Sequence, residues 1–194
     1  MVGINQYTIT FNSNGGSSVT SITQDYDTSV SAPSNPTRTG YTFNGWYSDA
    51  GLTTLYSFST MPAQNFTLYA KWTINQYTIT FNSNSGSLVT AITQDYNTSV
   101  SAPSDPTKTG YTFAGWYSDA GLTTPYTFST MQAQNITLYA KWTINQYTIT
   151  FDTNGGTIVS SITQDYGTSI IQPVDPTKTS YVFGGWYSDA GLTT

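Results

Sequence analysis

The chain has 194 residues with 10 acids and 5 bases, a formal net charge of -5, and only 8% of its residues are charged, against roughly 25% in an ordinary globular chain. It contains no cysteine and no histidine, which excludes a disulfide framework, a thiolate zinc site, a cysteine nucleophile and every imidazole-dependent triad or metal site. Scattered bases in an acidic chain argue against nucleic acid and anionic membranes as partners, and 15% aromatic residues with so few charges is the opposite of a disordered composition.

The first element of the chain returns twice. Asn-Gln-Tyr-Thr-Ile-Thr-Phe begins at Asn5, Asn75 and Asn145, a period of 70 residues without insertion or deletion. Residues 5–74 and 75–144 differ at 11 of 70 positions, and 75–124 and 145–194 at 15 of 50. A unit of this length is large enough to own a small core, unlike the shorter repeats of solenoids. The expected division is a first repeat at 5–74, a second at 75–144 and a third, without its final strand, at 145–194. Residues 1–4 read as a cloned start or the end of a preceding linker. No apolar run reaches signal-peptide or membrane-spanning length, so the chain reads as an excised piece of a longer repetitive protein whose targeting signals lie elsewhere.

Within one repeat, Tyr7, Ile9 and Phe11 alternate with Thr8 and Thr10, the period of a strand with one apolar face. Asn14-Gly15-Gly16 supplies a hairpin turn. Val19 to Val30, rich in β-branched residues, predicts a second strand with Ile22, Tyr26 and Val30 on one parity. Pro36 to Gly40 predicts a short helical turn capped by Asn35, or by Asp105 and Asp175 in the later copies, with Gly40 as its stop. Tyr41 to Tyr47 predicts a third strand, with Trp46 on the face opposite Tyr41, Phe43 and Tyr47. Ser48-Asp49-Ala50-Gly51 turns. Asn65 to Trp72 predicts the last strand, with Phe66, Leu68, Ala70 and Trp72 inward and Thr67, Tyr69 and Lys71 outward. The unit is mainly β, in the order strand–strand–short helix–strand–strand. Only Thr73 and Ile74 separate Trp72 from the next Asn-Gln-Tyr, with none of the Gly-rich polar residues of a flexible tether, which predicts fixed neighbours in an elongated array.

The strings Tyr7–Phe11, Pro33–Tyr47 (Pro-x-x-Pro-x-Arg-x-Gly-Tyr-x-Phe-x-Gly-Trp-Tyr) and Tyr56–Trp72 (ending Leu-Tyr-Ala-Lys-Trp) recur 70 residues on. Together they resemble the Listeria–Bacteroides repeat, the internalin B-repeat family, over essentially all of residues 5–194. The resemblance implies a β-grasp-like fold, tandem occurrence on extracellular bacterial surface or cell-wall proteins, and a stalk or auxiliary adhesion role with no catalytic residues to carry over. Ser85 in place of Gly15, and Ser180 in place of Gly40 and Gly110, depart from the pattern. The Ser180 turn is expected to be tighter or strained.

No cofactor is expected. Asp25, Asp95 and Asp165 are read as turn or surface carboxylates rather than calcium ligands, because calcium takes 6–8 oxygens. Asp49, Asp119 and Asp189 are read as Asx-turn residues. Lys71 and Lys141, alone among apolar neighbours, are read as guards of an edge strand rather than isopeptide partners. Paired carboxylates across a cleft, which glycoside hydrolysis needs, are not suggested by equivalent small repeats, so no enzyme is expected. The candidate ligand contacts are aromatic: Trp46, Tyr47 and Tyr69, then Trp116, Tyr117 and Tyr139, then Trp186 and Tyr187. Flat rings stack on sugars and repetition multiplies weak contacts, although in an aromatic-rich repeat Trp46 and Trp72 are favoured as core. Two functions therefore stand: a non-catalytic stalk, or a low-affinity multivalent module for a glycan or a surface protein.

The third repeat ends without counterparts of Pro125–Trp142. Its open sheet is expected to be completed in one of three ways: strand addition from another chain, a different domain phase with units at 55–124 and 125–194, or further chain. The first would cause self-association.

Overall fold

The computed structural model describes residues 3–193. By backbone proximity the chain forms two compact units, one comprising Met1–Asn82, Thr90–Pro103 and Tyr126–Leu138, the other Ser83–Val89, Ser104–Pro125 and Tyr139–Thr194. In the first repeat, β1 (Gln6–Asn12), β2 (Ile22–Asp25), β3 (Tyr41–Tyr47) and β4 (Phe66–Ile74) make a four-stranded sheet in the order β2-β1-β4-β3. β1 pairs antiparallel with β2, Ile9 facing Ile22. β1 and β4, adjacent in the middle of the sheet, run parallel with Phe11 beside Leu68, and β3 closes the other edge antiparallel to β4. The second repeat uses β5 (Gln76–Asn82), β6 (Ile92–Asp95), β7 (Tyr111–Tyr117) and β8 (Ile136–Ile144) in the equivalent order β6-β5-β8-β7. The third has a two-stranded sheet, β9 (Gln146–Ile149) with β10 (Ile162–Asp165).

The period-2 pattern places the core. Ile9 and Phe11 from β1 meet Leu68 and Ala70 from β4, with Trp46, Val30 and Met61 completing a buried cluster around which Tyr7, Phe43, Phe66 and Trp72 pack. The expected faces of β1 and β4 therefore hold. The space is filled largely by edge-to-face rings: Phe11 lies 4.7 Å from Trp46, and Phe43 lies 5.4 Å from both Trp46 and Trp72, separations at which ring quadrupoles attract.

Five expectations need correction. Lys71 and Lys141 do not guard an edge, since β4 and β8 lie inside their sheets. No helix occurs among the described residues, and Pro36–Gly40 is irregular chain ending in a turn. Both backbone groups of Thr37 bond to Ser17, its N–H to the hydroxyl (2.9 Å) and its carbonyl to the Ser17 N–H (2.8 Å), which leaves nothing for a helical ladder. The Tyr41 N–H closes the turn onto the Arg38 carbonyl at 3.0 Å. The second strand is much shorter than Val19–Val30, because Asp27 and Val30 leave β1 and bond instead to Met61 and Ser59. Trp46 lies on the core face with Phe43 rather than opposite it. The β3–β4 register shifts between Phe43 and Trp46 at Gly45, whose φ is +113°. That bulge inserts one residue and flips the parity. Finally, the third copy does not form the strand expected at Tyr181–Tyr187. In their sheets β3 and β7 pair with β4 and β8, and residues 145–193 hold no counterpart of those partners. Tyr181 is 71% exposed, whereas its counterparts Tyr41 and Tyr111 are half-buried.

Candidate functional site

The bulge at Gly45 decides what the Trp-Tyr pairs can do. Trp46 and Trp116 are buried, at 4% and 5% exposure, Trp116 with the Phe113 ring at 5.3 Å. Trp186 is half-buried against Phe151 at 4.8 Å and Phe183 at 5.2 Å. The following tyrosines lie on the other face. Tyr47 stands directly across the ladder from Tyr69, and the Lys71 ammonium sits 4.8 Å from the Tyr47 ring centroid while donating to the Leu52 carbonyl at 3.3 Å. Tyr117, Tyr139 and Lys141 repeat this, with the ammonium again 4.8 Å from the ring. The sheet thus brings Tyr47, Tyr69 and Lys71 together as a half-buried outer patch and separates them from Trp46. Tyr187 is exposed, and residues 145–193 contain no counterparts of Tyr69 and Lys71.

The carboxylates are held by backbone. Asp49 accepts from the Thr54 N–H at 2.8 Å and from the Thr53 N–H at 3.2 Å. These bonds, that from Thr54 foremost, draw its carboxyl below the usual value of 3.8, since bonds to the charged form favour it. Asp119 is lowered in the same way by Thr123 and then Thr124. Asp25 accepts from the Gln6 side chain at 2.9 Å.

A second arrangement, at the joints between repeats, escaped the sequence reading. β4 and β5 are separated only by Asn75. The Asn75 N–H donates to the Gly40 carbonyl (2.9 Å), its carbonyl accepts from the Tyr96 N–H (2.8 Å), and its side-chain oxygen accepts from the Thr42 hydroxyl (2.6 Å). The Tyr96 ring stands edge-on to Tyr41 at 6.1 Å, and Tyr41 carries the Arg38 guanidinium at 3.8 Å on its ring. Asn145, Gly110, Thr112, Tyr166 and Tyr111 repeat the set. From the sequence alone, Gly40 reads as a helix stop. The signal that could have marked the joint is the shared 70-residue spacing of Gly40 with Gly110 and of Tyr96 with Tyr166.

Successive mixed sheets with aromatic cores, joined strand to strand, define a tandem β-repeat protein. The chain belongs to the Listeria–Bacteroides repeat domain family, whose profile matches residues 7–71, 77–141 and 147–194. It is 42% identical over 192 residues, 98% of its length, to a protein of Evansella cellulosilytica described as a Gly-rich membrane protein, of which it covers 22%. Another membrane protein of that organism is 42% identical over 188 residues, 96% of this chain and 28% of the relative. Internalin H of Listeria monocytogenes is 42% identical over 143 residues, 72% of this chain and 25% of the relative. The chain thus spans about a quarter of the length of these relatives. Among its own described residues no helix is long and apolar enough to cross a membrane.

Proposed function

We propose that this segment is a non-catalytic stalk or spacer of a bacterial surface or secreted protein, holding a recognition domain away from its anchor. The observation that carries this reading is the parallel pairing of β1 with β4, the first and last strands of a complete copy. A pull applied between the two ends of the copy runs along these neighbours in opposite directions. It loads their hydrogen bonds together in shear rather than opening them one at a time. Repeats joined strand to strand pass such a load directly from one sheet to the next. The sheet order also supports a β-grasp-like reading of each complete copy, with irregular chain in place of a crossover helix. Family membership and the likeness to internalin H support a surface setting.

A second reading, a weak multivalent binder of a glycan or surface protein, draws on the outer patch of Tyr47, Tyr69 and Lys71 and its repeat at Tyr117, Tyr139 and Lys141. A glycan array probed with one, two and three repeats separates the two. A blank array at high protein concentration supports the spacer. A signal rising steeply with copy number, as avidity requires, would establish the binder.

A further inference from the structure

The joints carry a contact that only glycine permits. Gly40 and Gly110 have φ of +78° and +77°, where a side chain is already disfavoured. A Cβ built on Gly40 would lie 2.1 Å from Cδ1 and 2.2 Å from Cγ of Tyr96, and one built on Gly110 would lie 1.9 and 2.1 Å from the same atoms of Tyr166. These atoms are at the base of the ring, beside a backbone N–H that is bonded to Asn75 or Asn145 at 2.8 Å. That bond holds the Tyr96 backbone in place, so relief must come from turning the ring about its Cα–Cβ bond, out of its seat on Tyr41, or from moving the repeat. The tyrosine therefore cannot keep its seat on the previous repeat if the glycine is replaced. In the third copy the equivalent position is Ser180, in the same left-handed conformation with φ of +66°.

We infer that the seating of Tyr96 on Gly40, and of Tyr166 on Gly110, is a steric lock that fixes the orientation of each repeat on the one before it, and that serine at this position, as at Ser180, is its unlocked form. A copy bearing Ser180 keeps the backbone turn, because serine adopts it there, but presents a side chain where the following repeat's tyrosine would seat. A repeat placed after it would lose the seated ring and keep only the strand joint and the backbone bonds around it. The inference concerns the joint and does not depend on the spacer reading.

The chain has no cysteine, so spin labels can be placed at will. Ser31→Cys and Ser101→Cys put labels on exposed, equivalent positions of the first and second repeats, and pulsed electron double resonance reads the spread of distances between them. The unmodified joint is expected to give one narrow distribution. Gly40→Ser, which installs the third copy's residue, is expected to widen it at least twofold with the circular dichroism spectrum unchanged. Tyr96→Ala, which removes the ring and leaves the first repeat untouched, is expected to widen it similarly. Ser180→Gly is expected to leave it narrow. A narrow distribution in both Gly40→Ser and Tyr96→Ala overturns the lock. So does widening in Gly40→Ser alone, which would trace the effect to damage within the first repeat.

Discussion

Replacing Leu68 by alanine tests the architecture at its centre. Leu68 is fully buried, in the strand that pairs with both β1 and β3, beside Ile9, Phe11 and Met61. Truncation removes its buried methyl groups and leaves a cavity that a ring-packed core closes poorly, at a cost of about 2–5 kcal/mol. A 70-residue copy holds about 3.5–10 kcal/mol of stability at roughly 0.05–0.15 kcal/mol per residue. At about 4–8 °C per kcal/mol for a domain of this size, the melting point of the first repeat is expected to fall by at least about 8 °C. Differential scanning calorimetry reads this as one component moving while the other stays, and Leu138→Ala is expected to move the other. Tyr69→Ala, one residue along on the outer face, is expected to shift melting much less. If Leu68→Ala and Tyr69→Ala shift melting equally, or Leu68→Ala shifts it by less than about 3 °C, β4 does not face the core as described.

Gly16→Ala is expected to cost about 1–3 kcal/mol by overpacking, because its Cβ would meet Trp72 Cζ2 at 2.5 Å. Gly156→Ala, with no atom nearer than 3.2 Å, is expected to cost less, and equal urea midpoints for the two would contradict this. The lowered carboxyl of Asp49 has a signed consequence. Its contribution is complete above the unfolded value near 3.8 and is lost as pH falls through the lower folded value. The stability gap between the native chain and Asp49→Asn should stay constant from neutral pH down to about that value and close below it, whereas a gap unchanged in strong acid would refute the assigned bonds. In the third copy, Ile149, Phe151, Phe183 and Trp186 line a groove of about 680 Å³ at the place β4 occupies in the first. A peptide with the sequence of residues 135–144 is expected to bind there and raise the amide protection of residues 149–152 and 181–187, the counterparts of the stretches that pair with β4. No protection at millimolar peptide would show that the groove does not accept a strand.

The strands whose residues alternate cleanly were legible in the sequence. β1 and β4 show their inward faces in every second residue, and the junction at Asn75 followed from the missing linker. The errors came where long-range bonding overrode local pattern. Pro36 to Gly40 has the spelling of a capped helical turn, but Ser17, distant in sequence, takes both backbone groups of Thr37. Trp46 changed face because Gly45 adopts a positive φ that parity counting does not register. Met61, fully buried, sits in an irregular segment with no period to mark it. The joint was hidden for a related reason: Gly40 and Tyr96 belong to different repeats, and a reading confined to one repeat pairs neither with the other.

Stretching the chain between its ends with an atomic force microscope tests the load-bearing claim most directly. If β1 and β4 resist in shear, each of the two complete copies is expected to unfold in one abrupt event. Each event should release about 230–250 Å of contour length less the end-to-end span of the folded copy, at 3.3–3.6 Å per residue over 70 residues. Leu68→Ala is expected to lower the force of one event only. A smooth extension at low force, without discrete events of that length, would contradict the proposal that these repeats bear load as a stalk.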